Sequence, residues 1–152
     1  MTSVKTLTLG IGCDRGTSIE TLTLAVTQAL AKAHAGLADV AAVASITLKA
    51  DEAGLLALAA RNGWPLTFYR PDELAAVTVP NPSETVRRHT GTPSVSEAAA
   101  LLRAGAADAR ALLVEKHKLL GADGKHATVS IARCAAGFIP ALAPASIFDL
   151  TP

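Results

Sequence analysis

Hydrophobic and polar positions along this chain switch repeatedly between a period of two and a period near 3.6. Val4–Ile11 (VKTLTLGI) is dense in Val, Leu, Ile and Thr and stops at Gly12, which reads as a strand. Thr17-Ser18-Ile19-Glu20 fits the Ser/Thr-x-x-Glu capping box that opens a helix. Ile19, Leu22, Val26, Ala29 and Ala33 then recur three and four apart as one apolar stripe. Val43–Leu48 is a second strand. Asp51 is the expected cap of a helix from Glu52 to Arg61, which Gly63 and Pro65 stop. Leu66–Tyr69 makes a short third strand, and Pro71 opens a helical turn through Leu74. Between Val77 and Thr92 the rhythm breaks, with Pro80, Pro82 and the basic run Arg87-Arg88-His89, so this stretch reads as an excursion over the surface with one helical turn. A second capping box, Ser94-Val95-Ser96-Glu97, starts an Ala-rich helix to about Arg103. Ala111–Glu115 and Thr128–Arg133 are strands able to pair as an antiparallel hairpin around Ala122-Asp123-Gly124.

Strands separated by helices require right-handed crossovers and a sheet covered on both faces. The pattern therefore predicts a three-layer α/β/α domain whose sheet of about five strands is mixed, mainly parallel, and ends in a C-terminal hairpin. This domain is assigned to residues 1–136, and residues 137–152 to an apolar, proline-containing tail. The tail residues Phe138, Ile139, Leu142, Ile147 and Phe148 are expected to pack on their own domain; docking on a partner or a homodimer is the alternative.

Composition narrows the function classes. A chain of 152 residues, 50% hydrophobic and 18% charged, is a folded domain and not a disordered one. Alanine (32) and leucine (20) carry the apolar load, and small alanine faces let helices approach a sheet closely. A net charge of +1 and 3% aromatic residues argue against nucleic acid as a partner, because neither a basic face nor a stacking platform is available. Two cysteines, Cys13 and Cys134, without a C-x-x-C pair, suit a reducing compartment. There is no signal-peptide pattern, and no apolar run approaches the ~20 residues that span a bilayer. The expected location is the cytoplasm, with no membrane contact.

Three stretches carry candidate chemistry. Gly10 to Ser18 (GIGCDRGTS) lies between a strand and a helix, where open α/β sheets bind ligands and where free N–H groups attract anions. Arg15 stands where a dinucleotide fingerprint needs glycine, and no P-loop lysine follows, so a nucleotide site is disfavoured. A tight structural turn competes with an anion site here; Arg15, able to hold a carboxylate bidentately, favours the latter. The second stretch, Thr47-Leu48-Lys49-Ala50-Asp51-Glu52, reads mainly as a helix cap, with Lys49 free to act beside Arg15. In the third, Glu115-Lys116-His117-Lys118, alternation puts Glu115 and His117 on one face and the lysines on the other. A Glu–His pair can do acid–base work, but a solvated strand end explains it as well. His34, His89, His117 and His126 show no ligand spacing and G-x-S-x-G is absent, so neither metal nor cofactor is expected.

GIGCDRGTS, ASITLKADEAGLLALA, PSVSEAAALL and LLVEKHK, in this order over about residues 7–133, resemble one family: the C-terminal domain of the cobalamin-biosynthesis protein CbiG and its stand-alone relative CobE. The resemblance implies a cleft surrounded by Gly12, Cys13, Arg15, Gly16, Lys49, Asp51, Glu52, Glu115 and Lys116. Helix starts at Thr17-Ser18 and Ser94–Glu97 would add backbone donors. Corrin precursors carry acetate and propionate groups around an apolar ring, and Arg15, Lys49, Lys116 and the Arg87-Arg88 pair would meet those carboxylates. The implied function is binding of precorrin intermediates as a carrier or accessory factor. One alternative is a hydrolase acting on a ring substituent, as in CbiG-like lactone opening, with Glu52 or Glu115 as base. The other is a module that docks on pathway enzymes.

Overall fold

The structure, a computed structural model, describes residues 5–136 and 138. Its central strand β1 (Leu7–Cys13) separates two chemistries by alternation. Leu7, Leu9 and Ile11 point into the main apolar core, whereas Thr8 and Gly10 face the opposite side. On the first side pack α1 (Ile19–Lys32) and α2 (Ala53–Asn62), through Leu22, Val26, Ala29, Leu55 and Leu58. On the second lies α5 (Ser96–Ala104), with α3 (Pro71–Ala75) beside it through Leu74 and α4 (Glu84–Thr90) through Val86. Three layers result.

The other strands are β2 (Val40–Ile46), β3 (Leu66–Tyr69), β4 (Leu112–Leu120) and β5 (His126–Arg133), in the spatial order β3-β2-β1-β5-β4. β1 pairs parallel with β2, and β2 with β3; β5 runs antiparallel to β1 and to β4. Four strands thus point one way and β5 the other. The mixed sheet and its terminal hairpin are as the pattern predicted.

Several local readings need correction. β2 begins at Val40, three residues earlier than expected, because Ala41 and Ala42 are compatible with a strand buried on both faces. Ser18, not Thr17, caps α1: its Oγ accepts from Thr21 N at 3.1 Å, while Thr17 Oγ1 donates to the Asp14 carbonyl. Glu52, not Asp51, occupies the cap position of α2 and makes no capping bond there, because both carboxylates are engaged by Arg15. The second capping box also fails. Ser94 Oγ accepts from Ala98 N at 3.3 Å, and Glu97 turns into the interior instead of back to the cap.

Strand β4 runs on through the charged stretch, with register slips on both sides of Val114. Such a bulge breaks alternation. Glu115 and Lys116 consequently both reach Asn81, on the α5 side, while His117 hydrogen-bonds Gln28 of α1 at 2.7 Å. The expected pairing of Glu115 with His117 on one face does not occur. The excursion from Val77 to Thr92 is a wall against α5 and contains α4 as its one longer helix. Cys13 and Cys134 are free thiols. Of the C-terminal tail, Phe138 is described, its ring 5.0 Å from the Arg103 guanidinium; the packing expected of residues 139–152 lies outside the described residues.

The contact of α5 with β1 is close enough to be tested. A Cβ on Gly10 would run into the Ser96 carbonyl and lie 2.6 Å from the Ala100 nitrogen, both main-chain atoms that cannot swing away. Gly16 has a left-handed φ of 81° and open space around it. Gly10→Ala should therefore cost about 3 kcal/mol, the upper range of overpacking. Gly16→Ala should cost about 1 kcal/mol, the strain of a left-handed residue. Urea unfolding midpoints compare the two; equal losses would contradict the packing described.

Candidate functional site

The loop after β1 is rich in anion-binding donors, and the fold fills them with its own carboxylates. Gly16 N donates to Glu52 Oε1 at 3.0 Å. Arg15 Nη1 lies 2.7 Å from Asp51 Oδ1 and 2.8 Å from Glu52 Oε2, and Nη2 donates to the Leu48 carbonyl. Glu52 is buried at 3% exposure, whereas Arg15 and Asp51 remain 59% and 82% exposed. The Arg15 hydrogen bond holds the Asp51 carboxyl below its ordinary range. At the start of α1, Ser18 N and Thr21 Oγ1 both donate to Asp123 from the hairpin tip, at 2.9 Å. These donors, led by Ser18 N, bring Asp123 from 3.8 to about 2. Lys49 sits half-buried at the same sheet edge, and burial pushes the neighbouring Cys13 thiol up.

A second group lies across the sheet, on the α5 side. Between α4, the start of α5 and the ends of β4 and β5 is a cavity of about 250 Å³. Val86 and Val95 form its apolar walls, and Lys116, Lys118, His126, Ser83, Ser96 and Thr128 its polar ones. A more open cavity of about 450 Å³ shares Ser83, Lys116 and Lys118 and adds Asn81, Pro82 and Glu115. Gly12 reaches this cleft from β1, since a Cβ there would touch Val95 at 3.7 Å. Asp14 closes one end by accepting from His126 N and Nδ1, at 2.7 and 3.1 Å. That backbone bond is the main cause of a lowered Asp14 carboxyl. Beneath the cleft, Ser130 Oγ bonds Ser96 Oγ and the Glu115 carbonyl.

The expected site residues therefore fall into two sets. Arg15, Gly16, Asp51 and Glu52 meet directly, with Thr17, Ser18 and Lys49 alongside. Glu97, Glu115 and Lys116 meet through Asn81, with Ser94 buried at the start of α5. No hydrogen bond or ion pair among the described residues joins the two sets. Arg87 is occupied by Glu84 on its own helix. The sequence did not single out Asn81, His126 and Thr128 as lining this cleft. An asparagine between two prolines was the available signal, since the prolines fix the backbone that presents it.

The comparisons with known proteins bear on this geometry. Residues 7–132 match the family described as Cobalamin synthesis G C-terminus. The chain belongs to this cobalamin-biosynthesis family. Within it, the chain is 37% identical to Protein CobE of Sinorhizobium sp over 128 residues, 83% of this chain and 79% of that protein. It is 41% identical over 102 residues to the Cobalt-precorrin-5A hydrolase of Priestia megaterium, 67% of this chain but only 27% of the hydrolase. The chain thus spans about a quarter of that relative. The fold matches the crystal structure of CobE, a protein from the cobalamin (vitamin B12) biosynthetic pathway, with a TM-score of 0.69 and 35% identity, covering 84% of this chain and 92% of that one. It also resembles cobalamin biosynthesis protein chiG from Agrobacterium tumefaciens, with a TM-score of 0.57 and 31% identity, covering 82% and 96%. Among the described residues no helix is long and apolar enough to cross a membrane.

The Arg15 cluster makes two predictions for this family member. Arg15→Ala leaves Glu52 buried with Gly16 N as its remaining donor, so the melting temperature should drop by several degrees. Glu52→Gln in the same background should recover most of the loss; failure to recover would show that Arg15 does not serve Glu52. A carboxyl held low contributes stability above its unfolded pKa and loses it as pH falls through the folded value. The Asp123 clip should therefore weaken from 3.8 down to about 2, and Asp123→Asn should flatten that part of the stability–pH curve. An unchanged acid limb would contradict the clip.

Proposed function

We propose that this protein binds precorrin-type polycarboxylate tetrapyrroles in the cleft between α4, α5 and the β4–β5 edge, acting as a carrier or accessory factor of cobalamin biosynthesis. The observation that carries the reading is Lys116, Lys118 and His126 set around the apolar walls of Val86 and Val95. A ring with a carboxylate rim needs that combination, because the apolar face is buried while each acid meets a cation. Gly12 and Thr128 admit the ring edge between them. On the other side of the sheet edge, the exposed part of Arg15, Lys49 and the Ser18 N–H take further acetates, which displace Asp51 from Arg15 and Asp123 from Ser18. The reading includes a cytoplasmic location, with later pathway enzymes as the partners that collect the ligand.

The hydrolase relative favours a second reading, a ring-substituent hydrolase. Glu115 is its base: exposed and beside Lys116, it can take a proton from water as the oxygen attacks a lactone carbonyl. Glu52 is poorly suited, being buried beneath Arg15.

Titration with successive precorrin intermediates, followed by absorbance and product mass, separates the two. Stoichiometric spectral shifts without a new mass support the carrier, and a new mass supports the hydrolase. Affinity should weaken between dilute buffer and ~0.5 M salt, where screening acts within a few ångströms. Replacing Lys116 and Lys118 together by alanine should weaken binding about tenfold to a hundredfold. Affinity insensitive to both changes would exclude this cleft.

A further inference from the structure

Glu97 is fully buried, and among the described residues no ion pair holds it. Among the same residues its two oxygens accept only from Asn81: Oε1 from the backbone N at 3.2 Å and Oε2 from Nδ2 at 2.7 Å. The same Nδ2 donates to Glu115 Oε1 at 2.9 Å, and the Asn81 carbonyl accepts from Lys116 Nζ at 2.9 Å. One residue of the 77–92 wall therefore meets three charged groups, Glu97, Glu115 and Lys116. An amide is suited to the position, because its NH₂ offers two protons to two carboxylates that would otherwise repel. The Ser83 N to Pro93 carbonyl bond, 2.9 Å, closes the wall on itself just beyond.

We infer that Asn81 is a positioning residue: its side-chain amide bridges Glu97 and Glu115 and so pins the 77–92 wall to α5 and β4, and its main-chain carbonyl holds the Lys116 ammonium over the cleft. The Lys116 part rests on the ligand-binding reading above; the Glu97 part does not. Removing the Asn81 side chain keeps the backbone N–H on Oε1 and takes the amide from Oε2, so a buried carboxylate loses one of its two donors, which is destabilising. The other charges around Glu97 are accounted for. Glu115 and Lys116 of β4 meet it through Asn81, and Lys118 and His126 stand further along the cleft. Glu84 of α4 is paired with Arg87, and Asp72 and Glu73 of α3 with Arg70; Arg103 lies nearly two turns along α5.

The test uses Asn81→Leu in the full chain. Its melting temperature should fall by several degrees, and Glu97→Gln in the same background should recover most of the loss. An unchanged melting temperature in Asn81→Leu, or no recovery with Glu97→Gln, would overturn the Glu97 assignment. For the cleft, the probe is cobyrinic acid, a corrin polycarboxylate. Asn81→Leu should weaken its binding about tenfold, because it releases the wall whose main-chain carbonyl seats Lys116, and adding Lys116→Ala should weaken it little further, since both changes unseat the same ammonium. Wild-type affinity in Asn81→Leu, or fully additive losses, would overturn the Lys116 assignment while leaving the cleft in place. Absence of binding by the parent would overturn the cleft and the Lys116 assignment together, and the melting temperatures would still decide Glu97. Should Asn81→Leu fail to fold, the variant that also carries Glu97→Gln reads the binding arm without a stranded charge.

Discussion

Helix α5 lies so low on β1 that position 10 has no room for a side chain, and the architecture of the cleft follows from that contact. The Ser96 carbonyl and the Ala100 nitrogen occupy the space a Cβ would need, and Thr8 Oγ1 donates to the Ala100 carbonyl at 2.8 Å. Ala98, Ala99, Ala100 and Ala104 make the approach feasible, because each removes the bulk that normally keeps a helix about 10 Å from a sheet. With α5 placed this way, Ser96 meets Ser130 of β5, Val95 meets Gly12, and Glu97 is carried into the interior. The cleft is the space left between that helix start and the sheet's carboxyl edge.

A second theme is charge satisfied from within. Three stretches that attract anions each hold a carboxylate of the chain itself: Glu52 on Gly16 N and Arg15, Asp123 on Ser18 N, Asp14 on His126 N. These bonds join segments far apart in sequence, so they fasten the loop after β1 to α2 and to the hairpin tip. A ligand acid arriving there exchanges with an existing partner and does not fill an empty site. The cleft cations differ, since Lys118 is exposed and Lys116 is held by a neutral carbonyl. That contrast is why the proposed binding centres on the cleft rather than on Arg15.

The charged run on β4 serves two purposes at once. An outer strand with four consecutive ionisable residues resists pairing with another sheet. The register slips around Val114 then turn Glu115 and Lys116 together toward the 77–92 wall and His117 toward α1. The same residues protect the edge and furnish the cleft.

Periodicity and punctuation were enough to read the order of elements, the mixed sheet, the hairpin and the family blocks, because these depend on local spacing of apolar, glycine and proline positions. The motif order also marked Arg15, Glu52, Glu115 and Lys116 as candidate site residues. Tertiary structure decided what those residues touch. The Asp51 cap and the second capping box were displaced because long-range partners, Arg15 for Asp51 and Glu52 and Asn81 for Glu97, outcompeted the local backbone bond. Strand alternation failed at Glu115 because a bulge depends on the partner strand's register, not on the strand's own residues. Asn81 became visible only when the fold brought the 77–92 wall against β4. Its contacts are hydrogen bonds between segments more than thirty residues apart, which local sequence spacing does not encode.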